Sequence, residues 1–401
     1  MRKIRLSPFA AFTLLFGAMY AAFGVASPFW PLFFESRGLS SEQLGILLAA
    51  GTVVRLLAGP LAGRIADMLG ALRAVLAVSM ALAVIAALGL LPASGFLWLL
   101  AIAAFQAAAL APVTTIADAL AVHASTQDTG SRAFEYGWVR GTGSAAFVVG
   151  TLLAGQMLAL SLLEPSILVW LHAGLLACGI LAVGVVPGIS PSSAKLGGRE
   201  GPSMLQGWRE AFRNRPFRYV FAVSALILGS HAMHDAFAVI RWNSGGLDPV
   251  TVSILWSEAV LAEVLVFFVL GPRVINRIGP KGAAALAAIA GCVRWMVMSQ
   301  TTDVGAIALV QPLHGITFAL LHLACMRVIG VSMPSHLAAT AQAVYALGAT
   351  IASAIFTYLS GVLYGSFGAP AFLAMALLCV SAIPFALALP DRRFLDLQVH
   401  R

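Results

Sequence analysis

Charged residues are scarce in this sequence. Asp, Glu, Lys and Arg make up only 10% of its 401 residues, whereas 60% are hydrophobic, and the mean hydropathy is +0.93. Soluble domains carry about 25% charged residues, so this chain lacks the polar surface that a globule in water requires. The shortage excludes an ordinary cytosolic enzyme, a disordered chain and a secreted disulfide scaffold, and it indicates a protein whose main solvent is lipid.

Acidic residues and cysteines are few as well. The 16 acidic residues are outnumbered by 24 Lys and Arg, but the basic residues fall in short gaps between apolar runs, which indicates membrane topology and not nucleic-acid binding. The cysteines lie far apart in apolar stretches without a CxxC pair, so we interpret them as packing residues and not as disulfide or metal ligands. They are Cys178, Cys292, Cys325 and Cys379.

Catalytic and nucleotide-binding motifs are absent too. The sequence contains no GxSxG elbow, no HExxH pair and no GxxxxGK[ST] loop. We therefore expect neither an enzyme nor an ATP-driven pump, and we expect no cofactor and no resident metal.

Long apolar runs are abundant instead. A helix needs about 20 apolar residues to cross a hydrocarbon core, and twelve runs of this kind are found. They lie near 9–34, 42–66, 74–91, 96–121, 137–160, 167–188, 217–240, 250–271, 282–299, 304–331, 338–362 and 369–389. The sequence therefore predicts an all-α membrane protein with twelve transmembrane helices in two six-helix bundles.

A stretch rich in Pro, Gly and Ser separates six runs from six. The predicted domains are an N-terminal six-helix bundle over 1–188, a cytoplasmic linker over 189–216, and a C-terminal six-helix bundle with a short tail over 217–401. The end of this linker, from Trp208 to Arg218, is basic and favours an interfacial amphipathic helix over a solvated linker.

The distribution of basic residues predicts the orientation. With the amino end inside, nineteen of the 24 Lys and Arg fall in cytoplasmic segments and only Arg37 and Arg241 fall outside, which places both termini in the cytoplasm. The other three, Arg55, Arg140 and Arg294, lie at membrane depth. An opening cluster of Arg2, Lys3 and Arg5 before an apolar run also resembles a signal peptide, but this run is longer than an h-region and its loss would leave an odd number of spans.

The two halves resemble each other at a constant offset. Gly38, Ile46 and Arg55 are matched 208 residues later by Gly246, Ile254 and Glu263, and Asp67 is matched 209 residues later by Asn276. This repeat predicts two pseudo-symmetric bundles with a functional axis between them.

The loop after the second span carries the pattern Gly63-x-x-x-Asp67-x-x-Gly70-x-x-Arg73. Its glycines allow a tight turn, and Arg73 is positioned to pair with Asp67. The pattern resembles the signature loop of the major facilitator superfamily. This resemblance implies that these four residues form a cytoplasmic gating latch.

Ionisable residues inside the apolar runs are the strongest indication of a site, because a charge at mid-membrane costs roughly 2.5–3.5 kcal/mol. These residues are Arg55, Asp118, Arg140, His231, His234, Asp235, Glu258, Glu263, Arg294, His314 and His322. His231, His234 and Asp235 share a helical face, which suits a satisfied buried cluster, a substrate or proton site or, less well, a metal site. Glu263 is the first candidate for a proton switch, and a static salt bridge to Arg294 or Arg55 is the alternative.

Several segments resemble a particular group within the superfamily. The segments Phe134–Ser144, Val260–Phe268, Asn276–Gly279, Arg294-Trp295 and Leu313–Thr317 are similar to the phenylpropionate permease family, whose distant relatives include lactose permease and nucleoside–proton symporters. The similarity spans the whole chain, from the first helix to the eleventh.

The resemblance implies roles for individual residues. Arg140 and Arg294 match arginines of lactose permease in the fifth and ninth spans, His314 matches its tenth-span histidine, and Glu263 or Glu258 matches its eighth-span glutamate. Thr317 stands where that permease has its proton-carrying glutamate. Since a threonine cannot carry this proton, either Glu263, Asp235 or His314 carries it or coupling is absent.

The expected function is secondary active transport, by proton-coupled symport of a small organic solute through alternating access. An aromatic carboxylate is favoured because arginine binds carboxylates and indoles stack on rings, and the expected substrate-binding residues are Arg140, Asp118, Arg294, His231 and Trp30. The alternatives are a sugar or nucleoside proton symporter and a drug-type exporter. The expected setting is a monomer in the lipid bilayer of a bacterial inner membrane, without nucleic acid.

Overall fold

A computed structural model describes residues 6–127, 134–160, 165–187 and 204–391, and the regular elements in this part of the chain are helices. Residues 189–203 of the predicted linker lie outside the described residues. So do several basic residues on which the predicted orientation depends, namely Arg2, Lys3, Arg5, Arg132, Lys195, Arg199, Arg392, Arg393 and Arg401.

The first half of the chain forms long helices. They are α1 (Pro8–Ser36), α2 (Ser41–Leu69), α3 (Leu72–Gly89), α4 (Phe96–Leu110), α5 (Val113–Gln127), α6 (Tyr136–Leu160) and α7 (Ser166–Val185).

The second half is more interrupted. It contains α8 (Met204–Arg213), α9 (Arg215–Gly229), α10 (Ala232–Ser244), α11 (Pro249–Leu265), α12 (Gly271–Gln300), α13 (Val304–Val310), α14 (Leu313–Gly315), α15 (Leu321–Ser332), α16 (Ala338–Phe367) and α17 (Phe372–Leu387). Two π-helical turns, Val266–Leu270 and Ile316–Leu320, join α11 to α12 and α14 to α15.

Eleven helical stretches of the described chain are long and apolar enough to cross a membrane. The prediction of an all-α protein with many helices able to span a membrane is thereby confirmed, and the count of twelve stays a prediction. One of the stretches, Pro249–Gln300, has 52 residues and contains Gly279 with a φ of 69°.

Polar side chains cap the helix starts. Ser7 accepts from the backbone N–H of Ala10 (3.2 Å), and Asp248 accepts from the N–H of Thr251 (3.1 Å) and from its hydroxyl (2.6 Å). The hydrogen bonds from Thr251, from its side chain first and then its backbone, hold the pKa of the Asp248 carboxyl below its usual range. Asp248 therefore remains an ionised cap at the start of α11, where the positive end of the helix dipole favours an anion.

The chain folds into two compact units. The first comprises the described parts of Met1–Leu39, Ala50–Gly198 and Asp248–Ser253, and the second those of Ser40–Ala49, Arg199–Leu247 and Ile254–Arg401. The first turns of α2 thus belong to the second unit and the first turns of α11 to the first. The division into domains that end at 188 and begin at 217 stays a prediction.

The internal repeat recurs in the backbone. Gly38 and Gly246 adopt positive φ angles of 81° and 88°, and Gly70 and Gly279 adopt 58° and 69°. Left-handed backbone at these turns favours glycine, so the turns of both halves require the same residue at an offset of 208 or 209.

In the first unit, α1 and α6 approach each other closely. A Cβ at Gly24 would overlap the carbonyl oxygen of Phe147, and a Cβ at Gly150 would overlap that of Ala21. The hydroxyl of Thr151 donates to the Gly24 carbonyl oxygen at 2.9 Å. Small residues are the usual means by which transmembrane helices come together.

Large apolar side chains are exposed on the outside of the described helices. Examples are Leu57, Leu61, Met68, Trp98, Leu181, Phe268 and Leu309. Exposed apolar surface of this extent marks contact with lipid in a chain of this hydropathy. Several histidines and Arg294 are instead buried, so the polarity is reversed relative to a soluble protein.

Helix α8 corresponds to the basic segment that was predicted to be interfacial. Ala211 is fully buried, and a Cβ at Gly207 would meet the side chain of Thr340 in α16. Arg209 and Arg213 are exposed. One side of the helix therefore packs on its own unit, and its location at a membrane surface stays a prediction.

The contact between α1 and α6 yields a stability prediction. Replacing Gly150 by alanine forces its Cβ against backbone, so we expect the free energy of unfolding to fall by about 1–3 kcal/mol, measured by thermal unfolding in detergent. Gly174 is the matched control, because a Cβ there meets nothing within 4 Å; Gly174→Ala is expected to stay within about 1 kcal/mol of the native protein. Equal effects of the two substitutions would contradict the close approach.

Candidate functional site

Helix interruptions in the second unit coincide with its polar residues. The chain leaves the helix between α9 and α10 at Ser230 and His231, and between α13 and α14 at Gln311 and Pro312. Proline lacks the N–H that would continue the helix. Irregular turns inside a transmembrane helix are typical of binding sites, because they free polar groups that a regular helix would use.

Arg294 of α12 is the most deeply buried charged residue in the described chain, with 0% exposure. Its Nη2–H donates to Oε1 of Gln311 at 3.0 Å, and its Nη1–H donates to Nδ1 of His314 at 3.0 Å. Its Nε has no hydrogen-bond partner among the described residues. Both acceptors belong to groups without a fixed negative charge, so the guanidinium retains capacity for an anion.

Gln311 holds Arg294 from the break between α13 and α14. Its side-chain Nε2 donates to the Leu255 carbonyl oxygen of α11 at 3.1 Å, and the whole residue is buried with 0% exposure. The amide therefore links three helices and fixes the position of the guanidinium.

His314 lies between Arg294 and Glu263. Its Nε2 is 3.6 Å from Oε2 of Glu263, on the side of the ring opposite to the nitrogen that accepts from Arg294. The side chain of His314 is 15% exposed and that of Glu263 is 29% exposed. Exposure thus increases from the buried guanidinium towards the carboxylate.

His231 and Asp235 also belong to this cluster. The ring centroid of His231 is 5.0 Å from that of His314, and its Nε2 is buried without a hydrogen-bond partner. Asp235 lies 3.4 Å from Nδ1 of His234, with 62% of its side chain exposed. Within the described residues, no group of three or more His, Cys, Asp and Glu is arranged to hold a metal ion.

Aromatic rings surround these polar groups. Trp295 donates from its indole N–H to the Ser230 hydroxyl at 2.9 Å and meets His231 edge-on at 5.5 Å. Phe318 stacks on His314 at 5.6 Å, and Trp256 stacks on His234 at 4.8 Å. A buried cation beside several apolar rings is a suitable environment for an aromatic anion.

A second polar group occupies the first unit. Tyr136 donates from its hydroxyl to Oδ1 of Asp118 at 2.8 Å, and the Arg140 guanidinium lies 4.7 Å from the ring centroid of Tyr20. Each of the two predicted residues Asp118 and Arg140 thus contacts a tyrosine that was not among the residues predicted from the sequence.

Trp30 lies in a different environment from that pair. Its ring contacts His172 at 5.1 Å. His172 is fully buried, with Nδ1 2.8 Å from the Ala22 carbonyl oxygen and Nε2 3.2 Å from the side-chain nitrogen of Gln106. Both ring nitrogens have neutral partners, which is typical of a structural histidine.

The predicted latch residues lie at the end of α2 and the start of α3. Arg73 donates to the carbonyl oxygens of Val183 and Gly184 at 3.1 and 3.0 Å, and within the described residues it forms no ion pair with Asp67. The expected pairing of Asp67 with Arg73 is therefore wrong in this structure. The last carbonyl groups of a helix lack intrahelical partners and attract a cation, so Arg73 binds the end of α7.

Gln311 and Ser230 are the main residues that the sequence reasoning missed. Gln311 carries no charge, so it did not appear among ionisable residues in apolar runs. A polar amide directly before Pro312, inside a long apolar run, was the available signal. Ser230 had no comparable signal, since serine is common in transmembrane helices.

The role of Gln311 yields a prediction. Gln311→Met removes two buried hydrogen bonds and leaves one N–H of the buried Arg294 guanidinium without its acceptor, so we expect the free energy of unfolding to fall by about 1–3 kcal/mol. Gln300→Met, at the exposed end of α12, is the control and should change it by less than about 0.5 kcal/mol. Thermal unfolding of the two purified variants compares them, and a Gln311 variant as stable as the control would refute the linking role.

Comparisons with known proteins support a transporter. The model of the MFS_1 like family matches residues 10–374. A protein of Escherichia coli strain K12 described as "Probable 3-phenylpropionic acid transporter" is 32% identical over 375 residues, covering 91% of this chain and 93% of that protein. An uncharacterized transporter of Bacillus subtilis strain 168 is 21% identical over 313 residues, covering 78% and 75%.

Solved structures share the fold. A mutant of the nucleoside transporter NupG superposes with a TM-score of 0.82 at 15% identity, covering 95% of this chain and 99% of that one. A bacterial homologue of the human lysosomal transporter Spinster, inward-facing and unoccupied, superposes with a TM-score of 0.73 at 14% identity, covering 97% of each chain. These families contain transporters and not enzymes. The chain belongs to the MFS_1 like family and is a multi-pass membrane transporter of the major facilitator superfamily.

Proposed function

We propose that this protein is a proton-coupled symporter of a small aromatic carboxylate. The observation that carries the proposal is the fully buried Arg294, which is hydrogen-bonded by the neutral groups of Gln311 and His314. The relative described as a probable 3-phenylpropionic acid transporter, at 32% identity, supports the same class of substrate.

Electrostatics favour an anion at Arg294. Removing a guanidinium from water costs several kcal/mol, and neutral hydrogen-bond acceptors offset only part of this cost. A carboxylate offers two oxygens whose spacing matches the fork of the guanidinium, and charge-assisted hydrogen bonds are about twice as strong as neutral ones. A substrate carboxylate would therefore bind here more strongly than a hydroxyl group.

The rings near Arg294 favour an aromatic substrate. His231, Trp295 and Phe318 lie within ring-contact distance of one another or of His314. Offset and edge-on contacts between rings contribute about 0.5–1.5 kcal/mol each beyond area burial. A phenyl group tethered to a carboxylate by a short chain satisfies both requirements.

Proton coupling would use the acidic side of the cluster. Glu263, His314 and Asp235 are the proposed proton-coupling residues, because they are ionisable and their exposure gives them access to water. Thr317, which is buried and donates to the His314 carbonyl oxygen at 3.2 Å, cannot substitute for them.

The topology we propose has twelve spans with both termini in the cytoplasm. A straight helix of 52 residues would be about 78 Å long, more than twice the roughly 30 Å of a hydrocarbon core. Pro249–Gln300 is therefore interpreted as two spans that turn at Gly279. We further propose a monomer in a bacterial inner membrane, by analogy with the Escherichia coli relative.

The first unit contributes proposed substrate contacts and a proposed latch. Asp118 and Arg140, with Tyr136 and Tyr20, offer hydroxyl and charged groups to a polar part of the substrate. Trp30 is the weakest of the proposed contacts, because its neighbour His172 already has two neutral partners.

The first test concerns Arg294. Replacing it by glutamine removes the charge that binds the carboxylate, so affinity for 3-phenylpropionate should fall at least about thirtyfold, corresponding to about 2 kcal/mol or more. Binding to purified protein is measured by calorimetry, with 3-phenylpropanol, uridine and lactose as uncharged comparison ligands. Arg273→Gln, which changes an exposed arginine of α12, is the control.

The comparison ligands separate the proposal from its alternatives. Tight binding of uridine or lactose with no binding of the carboxylate would indicate a nucleoside or sugar symporter. Efflux of hydrophobic cations from cells, without carboxylate uptake, would indicate a drug-type exporter. Retention of carboxylate affinity in Arg294→Gln would contradict the assigned anion site.

The second test concerns the latch. Asp67 lies exposed at the C-terminal end of α2, and we expect Asp67→Asn to slow turnover while leaving substrate affinity unchanged, because the carboxylate would stabilise one conformation and not the bound substrate. Initial uptake rates in proteoliposomes and equilibrium binding are compared. Undiminished uptake would remove the latch role.

A further inference from the structure

The hydrogen bond between Arg294 and His314 defines the protonation state of the imidazole. A guanidinium has only donors, so Nδ1 of His314, at 3.0 Å from Nη1, must present a lone pair. The imidazole is then neutral with its proton on Nε2, which is directed at Oε2 of Glu263 at 3.6 Å. His314 therefore accepts a hydrogen bond at Nδ1 and turns its Nε2–H towards the Glu263 carboxylate, just beyond hydrogen-bond distance.

This arrangement makes two events mutually exclusive. Protonation of His314 adds a hydrogen to Nδ1, where an N–H of Arg294 already points. Imidazolium and guanidinium would then repel each other at hydrogen-bond distance without an acceptor between them. His314 can take up a proton only after Arg294 has exchanged Nδ1 for another partner.

The other charged and titratable groups near His314 do not remove this conflict. From α11, Glu263 faces Nε2 and favours a positive ring. From the start of α10, His231 lies 5.0 Å away between ring centroids, and it is followed along the helix by His234 and Asp235, which lie 3.4 Å from each other. Among the contacts of the described residues, Arg294 is the group that blocks Nδ1.

We propose that the substrate carboxylate replaces Nδ1 of His314 as the acceptor for Arg294, and that the released Nδ1 takes up the proton that is co-transported. This inference rests on the proposed function, since it requires a carboxylate at Arg294. It names one nitrogen atom as the proton carrier and one hydrogen bond as the coupling device.

The step balances in charge and atoms. One carboxylate anion binds Arg294, one proton from the accessible side binds Nδ1, and the resulting imidazolium keeps its Nε2–H against the Glu263 carboxylate. The occupied site has gained no net charge. Glu263 remains ionised throughout and acts as the positioning residue that stabilises the imidazolium.

The coupling is reciprocal. If the anion promotes protonation, the proton strengthens anion binding by the same factor. Wherever the empty protein has a neutral His314 and the occupied protein a charged one, affinity for the carboxylate should rise about tenfold for each unit by which the pH falls.

His172 shows that a substrate-dependent proton affinity comes from the partners of a histidine and not from the residue type alone. Its Nδ1 donates to the Ala22 carbonyl oxygen, and its Nε2 accepts from the Gln106 amide. Neither partner carries charge or is expected to leave when a substrate binds. A histidine held in this way has no substrate-dependent proton affinity.

The experiment counts the protons taken up on binding. Titration calorimetry of the full-length protein with 3-phenylpropionate is repeated near neutral pH in buffers of different ionisation enthalpy, which gives the number of protons bound per ligand. We expect about one proton for the native protein, as one-to-one linkage requires, and almost none for His314→Gln. Glutamine can still accept from Arg294 but cannot be protonated, so this variant should still bind the anion.

His322→Gln is the matched control, since His322 lies on α15 and donates to or accepts from Tyr345 at 3.2 Å without contact to Arg294. It should retain the proton uptake of the native protein. Glu263→Gln provides a second variant should His314→Gln fail to fold. If Nδ1 carries the proton, uptake persists but moves to lower pH, because the imidazolium has lost the carboxylate that stabilises it; if Glu263 carries the proton, uptake disappears at every pH.

The outcomes separate this inference from the proposed function. Carboxylate binding without proton uptake, or undiminished uptake in His314→Gln, or loss of uptake in Glu263→Gln at low as well as neutral pH, overturns the inference and leaves the anion site intact. Failure of the native protein to bind any carboxylate overturns the proposed function and the inference with it.

Discussion

The free-energy cost of holding the Arg294 guanidinium away from water constrains the whole second unit. A buried cation must have acceptors, and a regular transmembrane helix offers none, since its carbonyl groups are already bonded within the helix. The break before Pro312 brings Gln311 to Nη2, and the orientation of His314 brings Nδ1 to Nη1. The break before Pro312 thus coincides with a residue that satisfies the buried charge.

The acceptors around Arg294 are the uncharged side chains of Gln311 and His314, which leaves the charge of the guanidinium without an opposite charge in direct contact among the described residues. A permanent carboxylate partner would satisfy the guanidinium and leave no affinity for an anionic substrate. Gln311 and His314 satisfy it only in part, because neither bond joins opposite charges. Acidic groups lie farther out, at Glu263 and Asp235, whose side chains are 29% and 62% exposed. Under the proposed function, anion binding and proton uptake would therefore use adjacent parts of one cluster.

The two halves of the chain share the backbone conformation of their glycine turns but differ in the charged residues of their helices. Gly38 and Gly246 still share the same backbone conformation, because only glycine adopts it without strain. Arg55, however, occupies the position in the first half that corresponds to Glu263 in the second. Its guanidinium donates a hydrogen bond to the Thr52 hydroxyl. Backbone geometry restricts the residue at a turn in every copy, whereas an inward side chain is restricted only by the partners of its own unit.

The sequence by itself determined that this is an all-α membrane protein, because apolar runs of spanning length and charge scarcity follow from residue type and spacing alone, and the motif from Gly63 to Arg73 resembles that of the major facilitator superfamily. It also marked Arg294, His314 and Glu263 as costly residues. Only the tertiary structure decided which of these residues contact one another. The sequence left open a salt bridge between Glu263 and an arginine. In the structure, His314 contacts Glu263 through Nε2 and Arg294 through Nδ1. The structure also shows that Gln311 accepts a hydrogen bond from Arg294. Arg73 donates to carbonyl oxygens at the end of α7 and, within the described part of the chain, does not pair with Asp67. The physical reason is that composition and periodicity fix the faces of a helix, while hydrogen-bond partners depend on the relative depth and rotation of neighbouring helices, which packing alone sets.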